Sequence, residues 1–296
     1  MANNVVVLGV TKTTSLIFNE EFPELQKVEV IPYKIKYSKA LPVAVKLLID
    51  APRIFSVIKR ERKQLEEIIK NYNVDVVISD NRFGLSSKKV ESIYITHQLN
   101  VQAGMFSGIA NKIHHYYIKQ FNAVWVPDFE DEKTSLAGKL SHHSSLNNIS
   151  YIGPLSRLYK KEKTDIAYDY LCILSGPEPL RSELERILID KANQSDRQVC
   201  IVRGTEKELK SFINKNVKIL NSPSANELSD LIFASKTIVC RSGYSTLMDL
   251  HHLNKQSCIL IPTPGQEEQE YLAEYWSQKH GLKLIYEKDL KALKLD

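Results

Sequence analysis

Short, nearly continuous apolar runs alternate along the whole chain with longer stretches whose apolar residues recur every three or four positions. Such runs read as strands buried on both faces, and the periodic stretches as amphipathic helices. The alternation predicts βα units and parallel sheets. In the first half, strands are expected at residues 4–10, 27–32, 74–79, 92–96, 123–126 and 149–152. Helices are expected at 41–72, broken at Pro52, and at 105–120. In the second half, the expected strands are 169–174, 198–202, 217–220, 237–240, 258–261 and 283–286. Helices at 179–192, 224–234, 245–253 and 267–279 lie among them. Gly153-Pro154, followed by a Lys/Glu-rich stretch to Asp165, has the composition of a linker. Two domains are therefore expected, 1–153 and 154–296, each Rossmann-like and facing the other across a cleft. No internal repeat or low-complexity segment is present.

Two strand–turn–helix units near the C-terminus carry the clearest chemistry. The strand at 237–240 runs into Arg241-Ser242-Gly243-Tyr244-Ser245-Thr246-Leu247-Met248-Asp249. The strand at 258–261 runs into Pro262-Thr263-Pro264-Gly265-Gln266-Glu267-Glu268-Gln269. Both turns should open on one edge of a parallel sheet, where α/β folds bind ligands. A glycine and small hydroxyl residues at a helix head expose backbone N–H groups, an anion site suited to phosphate or diphosphate. Asp249 follows within reach of sugar hydroxyls, and Arg241 closes a buried strand. Ser175-Gly176, after the strand at 169–174, makes a second phosphate-site candidate of lower specificity, because every βα unit needs a turn.

In the first half, Ile78-Ser79-Asp80-Asn81-Arg82-Phe83-Gly84 and Thr96-His97-Gln98-Leu99-Asn100 each follow a strand and place polar side chains at strand ends. Asp80 and His97 are the groups that could take a proton from an attacking hydroxyl. A histidine is usable near neutrality, whereas Asp80 needs a raised pKa. Each has a plain alternative as a turn anchor. The pairs His114-His115 and His142-His143 lack metal-type spacing and read as surface residues. Asp128-Phe129-Glu130-Asp131-Glu132 reads as a solvated loop, and with no Asp-x-Asp motif no metal is expected.

These segments resemble the donor half of GT-B glycosyltransferases of the family 28 type, together with a related branch of bacterial glycosyltransferases carrying Ser-Asp-Asn-Arg and Thr-His-Gln-Leu motifs. The resemblance implies a UDP-sugar donor, N-acetylglucosamine-like, and inverting transfer to a lipid-linked or saccharide acceptor. It implies that Arg157, Ser175, Gly176, Arg241, Ser242, Gly243, Ser245 and Thr246 hold the nucleotide diphosphate. Ala225 and Leu228 would face the uracil, and Asp249, Gln266 and Gln269 the sugar, with Asp249 standing where Glu is usual. On the acceptor side it implies His97 and Asn100, with Asp80, Asn81, Arg82 and Gln98 beside them. The family's Gly-rich, His-containing first loop has no counterpart in Thr11-Lys12-Thr13-Thr14-Ser15, so one βα element is expected to be absent. That absence keeps a non-catalytic nucleotide-sugar-binding subunit in view, and the shared fold keeps an epimerase.

Length, charge and cysteines narrow the setting. The chain has 296 residues, 43% of them hydrophobic, enough for two cores. A formal charge of +5 is too small to point to nucleic acid. Between Lys34 and Lys70, ten Lys/Arg face four acids and alternate with apolar residues, a pattern that suits either a solvated helix face or an anionic membrane surface. Met1-Ala2-Asn3-Asn4 does not open a signal peptide, and the four cysteines lie inside predicted strands as buried thiols. A cytoplasmic protein is expected, with peripheral attachment to the inner face of the plasma membrane as an option.

Overall fold

The computed structural model describes residues 5–12, 14–32, 43–102, 104, 107–142, 144–161, 165–209 and 211–295. The chain forms two compact units, Met1–Pro127 with Leu140–Ile152, and Asp128–Lys139 with Gly153–Asp296.

The first unit opens with β1 (Val7–Val10), helix α1 (Ser15–Glu21) and β2 (Gln26–Glu29). β1 and β2 pair in parallel from Val7↔Gln26 to Val10↔Glu29. The stretch expected to lack a helix therefore contains one of seven residues. Thr11 and Thr14 start it by exchanging backbone-to-hydroxyl bonds of 2.9 and 3.3 Å. Next come α2 (Val43–Tyr72), β3 (Val76–Asp80), β4 (Glu91–Ile95), α3 (Ser107–Ile118), β5 (Ala123–Val126) and β6 (Ile149–Tyr151). The break expected at Pro52 does not occur. Pro52 lies inside a continuous helix and is exposed, so water can reach the carbonyl that its missing N–H leaves unpaired. Strands β3 to β6 form a parallel sheet in sequence order. Its core gathers Tyr94, Leu99, Ile118, Phe121, Val124 and Val126. The register Asp80↔Ile95 brings the ends of β3 and β4 level, so their turns open side by side.

The second unit contains β7 (Tyr168–Ile173), α4 (Leu180–Asn193), β8 (Val199–Val202), β9 (Val217–Leu220), α5 (Ala225–Phe233) and β10 (Ser235–Cys240). It ends with α6 (Tyr244–His252), β11 (Cys258–Leu260), α7 (Glu267–His280) and β12 (Lys283–Leu284). The parallel sheet runs β9-β8-β7-β10-β11-β12, which is the doubly wound 3-2-1-4-5-6 order. Its order reverses between β7 and β10, paired through Ile173↔Cys240. Ligands of such sheets bind beyond the carboxyl ends of strands at that point. Val199–Val202 is buried at every position, as a strand covered on both faces requires. Leu174, Leu184, Leu188, Val239 and Ile259 share a core cluster with it, each contributing roughly 1.5–3 kcal/mol.

Residues 128–139 belong to this second unit, which a single cut after Gly153 does not describe. Asp128, expected in a solvated loop, is fully buried. Its carboxylate accepts the N–H groups of Phe129, Leu136 and Ala137 at 2.7–3.0 Å and the Ser135 hydroxyl at 2.7 Å. It also bonds the Tyr244 hydroxyl at the head of α6. Trp276 Nε1 on α7 donates to the Leu136 carbonyl at 2.8 Å, and Tyr275 donates to that of Ser135 at 2.9 Å.

Candidate functional site

In the second unit, four helices begin at the carboxyl edge of the sheet, and their heads differ. At α5, Ser224 and Glu227 form a reciprocal capping box that uses the first N–H groups. At α4, the Glu178 carboxylate bonds the Ser182 backbone and hydroxyl and the Arg181 guanidinium. Burial pushes Glu178 up, but the bonds from Ser182 and Arg181 outweigh it and hold it down at about 2. That head already has its anion. The head of α7 carries Glu267, Glu268 and Glu270 in its first turn. The head of α6 has neither an acid nor a side-chain cap, because Gly243 occupies the cap position. Its first N–H groups have no intrahelical acceptor. They lie at the switch point, next to Ser175-Gly176, which is exposed and turns through φ +101° at Gly176.

Around this head the motif residues separate. Gly243, Thr246 and Asp249 are half-buried and Ser245 is exposed. Arg241 faces the opposite way and is corrected to a structural anchor, with none of its surface exposed. Its guanidinium donates to the carbonyls of Ile261, Pro262 and Leu180 at 3.0–3.3 Å and pairs with Glu287 at 2.8 Å. A buried arginine needs such partners, and here they are protein groups. Ser242 is corrected in the same way, since it is buried and its hydroxyl donates to the Gln269 carbonyl at 2.7 Å. The Gln269 side chain accepts the Thr263 N–H at 3.0 Å and donates to Gln266 Oε1 at 2.7 Å. Gln266 and Gln269 thus shape the turn before α7 and keep part of their amide valence for a ligand.

Asp249 accepts the Ser156 hydroxyl at 2.6 Å. Burial raises its pKa, while that bond and the nearby Arg157 charge oppose the rise. Arg157, Ser156 and Asp249 therefore meet, and Ser156 was not anticipated. Ala225 and Leu228 lie half-buried in the first turn of α5.

In the first unit, Asp80 and His97 come close enough for their charges to interact. Burial among its neighbours raises the Asp80 pKa, and the His97 charge opposes that rise. The other residues expected on the acceptor side have partners within the first unit. Asn81 holds φ +55° and accepts the Tyr94 hydroxyl at 2.8 Å, which makes it a turn former. Arg82 pairs at 2.5 Å with Glu61, a fully buried carboxylate on α2, and donates to the Ile31 carbonyl. Asn100 donates to the His142 carbonyl and so fastens that segment. Gln98 is half-buried, with its N–H on Thr96 Oγ1 at 3.1 Å.

Three of the four histidines read as surface residues are described, and they are buried or half-buried. His114 is buried and His115 half-buried, and their Nε2 atoms lie 2.6 and 2.8 Å from the carbonyls of Gln98 and Leu99. His142 is buried against Tyr151, with ring centroids 5.2 Å apart. His143 lies outside the described residues. Among the described residues, no group of three or more His, Cys, Asp or Glu is placed to hold a metal ion. The four cysteines are free and buried, and burial pushes the Cys172 and Cys258 thiols up to about 12, so neither is a nucleophile near neutrality.

Residues 175–296 match the glycosyltransferase family 28 C-terminal domain. No curated protein matches the chain's sequence. Solved structures match its fold. Spinosyn rhamnosyltransferase SpnG complexed with thymidine diphosphate has a TM-score of 0.63 at 11% identity, over 97% of this chain and 80% of that one. The Streptomyces sp. SF2575 glycosyltransferase SsfS6, complexed with thymidine diphosphate, has a TM-score of 0.58 at 10% identity, over 97% and 81%. The calicheamicin glycosyltransferase CalG4 has a TM-score of 0.55 at 12% identity, over 96% and 79%. The sequence similarity is thus to the glycosyltransferase family 28 C-terminal domain over residues 175–296, and the whole chain has the GT-B fold.

Proposed function

We propose that the protein is a glycosyltransferase that moves a sugar from a nucleoside diphosphate sugar to a hydroxyl acceptor, with inversion. The uncapped, acid-free head of α6 at the switch point carries this reading, and the family match over the same residues supports it. The diphosphate lies on the N–H groups after Gly243 and against Ser175-Gly176, with Ser245, Thr246 and Arg157 beside it. Ala225 and Leu228 cover the base. Asp249, Gln266 and Gln269 take the sugar hydroxyls. The acceptor oxygen attacks the anomeric carbon as the carbon–oxygen bond to the diphosphate breaks, and the bonding pair leaves with the diphosphate. His97 accepts the acceptor proton, with Asp80 as the alternative base. Helix-head N–H groups and Arg157 stabilise the leaving charge without a metal.

The donor is a UDP-sugar of the N-acetylglucosamine type and the acceptor is lipid-linked or a saccharide. SpnG and SsfS6 were solved with thymidine diphosphate, so the base is the first specificity to measure. The work takes place in a bacterial cytoplasm, on cell-envelope precursors. Arg53, Lys59, Arg60 and Lys63 are exposed on α2 and keep an anionic membrane surface in the reading, while residues 34–42 of the basic stretch lie outside the described residues. No helix among the described residues is long and apolar enough to cross a membrane.

Calorimetry with UDP, thymidine diphosphate and their sugars tests the donor site. Asp249→Ala should weaken UDP-sugar roughly ten- to a hundredfold, the loss of a charged hydrogen bond of ~1.5–3 kcal/mol, and leave UDP nearly unchanged. No binding of any nucleotide to the folded chain removes the assignment. A second reading, a nucleotide-sugar-binding subunit without transfer, is favoured by the structural use of Asn81, Arg82 and Asn100. Tight donor binding with no transfer to membrane-lipid or saccharide acceptors decides for it. Conversion of the free UDP-sugar to its epimer would decide for an epimerase instead.

A further inference from the structure

We propose that His114 is a positioning residue for the acceptor-side base, holding the His97 turn in register with the Asp80 turn. The proposal rests on the reading of His97 and Asp80 given above.

Helix α3 grips the loop after β4 at successive carbonyls. His114 Nε2 lies 2.6 Å from the Gln98 carbonyl, and His115 Nε2 lies 2.8 Å from that of Leu99. Asn111 accepts the Val101 N–H at 2.7 Å and donates to the Val101 carbonyl at 3.2 Å. A carbonyl only accepts, so both imidazoles carry their proton on Nε2. His114 is therefore bonded to the carbonyl of Gln98, the residue that follows His97. Its ring also stands edge-on to Phe83, with centroids 5.5 Å apart at 77°, three residues beyond Asp80. One side chain thus touches the two turns that bear the candidate bases. Burial lowers its pKa to about 4, which keeps the ring a neutral donor across the physiological range. Mere filling of this place calls for an apolar ring. The imidazole adds a directed bond to the backbone one residue beyond His97, where the Gln98 N–H already bonds Thr96 Oγ1.

Two variants separate positioning from packing. His114→Phe fills the volume without a donor, and His114→Gln keeps a donor. Each is examined by transfer kinetics, by UDP calorimetry and by ¹³C NMR titration of the Asp80 carboxyl. In the Phe variant, kcat should fall roughly 10- to 100-fold, the scale of an ångström misplacement. UDP affinity should stay within about twofold, and the Asp80 titration should move upward because the His97 charge no longer opposes it. The Gln variant should recover both. Wild-type kcat and an unmoved Asp80 titration in the Phe variant, or equal impairment of both variants, overturns the proposal. If the Phe variant does not fold, Asn111→Leu releases the same loop from the same helix and is judged by the same two quantities. A wild-type chain without transfer defeats the functional reading alone, because the Asp80 titration still tests the positioning.

Discussion

Replacing Arg241 by Met separates an anchor from a ligand-binding arginine. In the native chain the guanidinium has none of its surface exposed, donates to three carbonyls and pairs with Glu287, whose side chain is 10% exposed. Removing one member of a buried pair costs about 3–5 kcal/mol, because the other charge is left without its partner. Residual exposure of Glu287 lets water relieve part of this, so about 3 kcal/mol is expected. At about 2–4 °C per kcal/mol for a domain of this size, the melting temperature should fall by roughly 6–12 °C. UDP affinity, measured by calorimetry well below that temperature, should change less than twofold. If the guanidinium instead met the diphosphate, its loss would remove ~1.5–3 kcal/mol of binding, a ten- to hundredfold weakening. Adding Glu287→Gln should restore most of the stability, since the uncompensated charge disappears with it. A tenfold loss of UDP affinity at an unchanged melting temperature refutes the anchor assignment.

Asp128→Ala leaves two buried N–H groups, one half-buried N–H group and two hydroxyls short of an acceptor, so thermal unfolding should show a loss of about 3 kcal/mol or more. Stability unchanged within about half a kcal/mol would mean that segment 128–139 is held by α7 alone. Gly84→Ala places a Cβ against Glu61 Oε2, 2.7 Å from Glu61 Cβ and 2.8 Å from the Ile58 carbonyl. Backbone cannot yield there, and denaturant unfolding should register a loss of about 1–3 kcal/mol. For Asp80 the folded pKa lies above the unfolded value, so its ionisation opposes folding, and stability is lost as pH rises from near ~4 through the raised folded value. Asp80→Asn should therefore match wild type at pH 3 and be the more stable protein at pH 7 by thermal melts, while transfer falls; a variant less stable at pH 7 contradicts the sign.

The alternating strands and helices were legible because parallel strands buried on both faces read as unbroken apolar runs, as Val199–Val202 does. Strand ends were harder to read. Residues 283–286 were expected as a strand, and only Lys283–Leu284 pairs, because an edge position has one neighbour to recruit it. Helix α1 was invisible because its entry is Thr- and Lys-rich, and side chains of Thr11 and Thr14 start it instead of an apolar stripe. Gly243 and Gly176 were readable as turn residues, since a glycine at a strand–helix turn has a local reason. The burial of Asp128 was not, because its partners lie in a loop without periodicity. His114 did carry a signal. It stands three residues after Asn111 and four before Ile118, on the face of α3 that turns inward.

That contrast explains how one nine-residue motif can be both anchored and open. Along Arg241-Ser242-Gly243-Tyr244-Ser245-Thr246-Leu247-Met248-Asp249, the buried positions are Arg241, Ser242, Tyr244, Leu247 and Met248. Each polar one among them is bonded to a different element: Arg241 to the end of β11, the head of α4 and Glu287, Ser242 to α7, and Tyr244 to Asp128. Arg241 Nε is buried with no partner among the described residues, a cost near 1–3 kcal/mol that the ion pair and three carbonyl bonds beside it offset. The intervening positions, Gly243, Ser245, Thr246 and Asp249, stay half-buried or exposed. An uncapped helix head is unstable in isolation, since its N–H groups lack acceptors. Here the inward residues fix its direction, so the head need not be closed by a side chain of its own. The head is thus held in place before any ligand arrives, which is the condition under which the proposed diphosphate site binds without first being ordered.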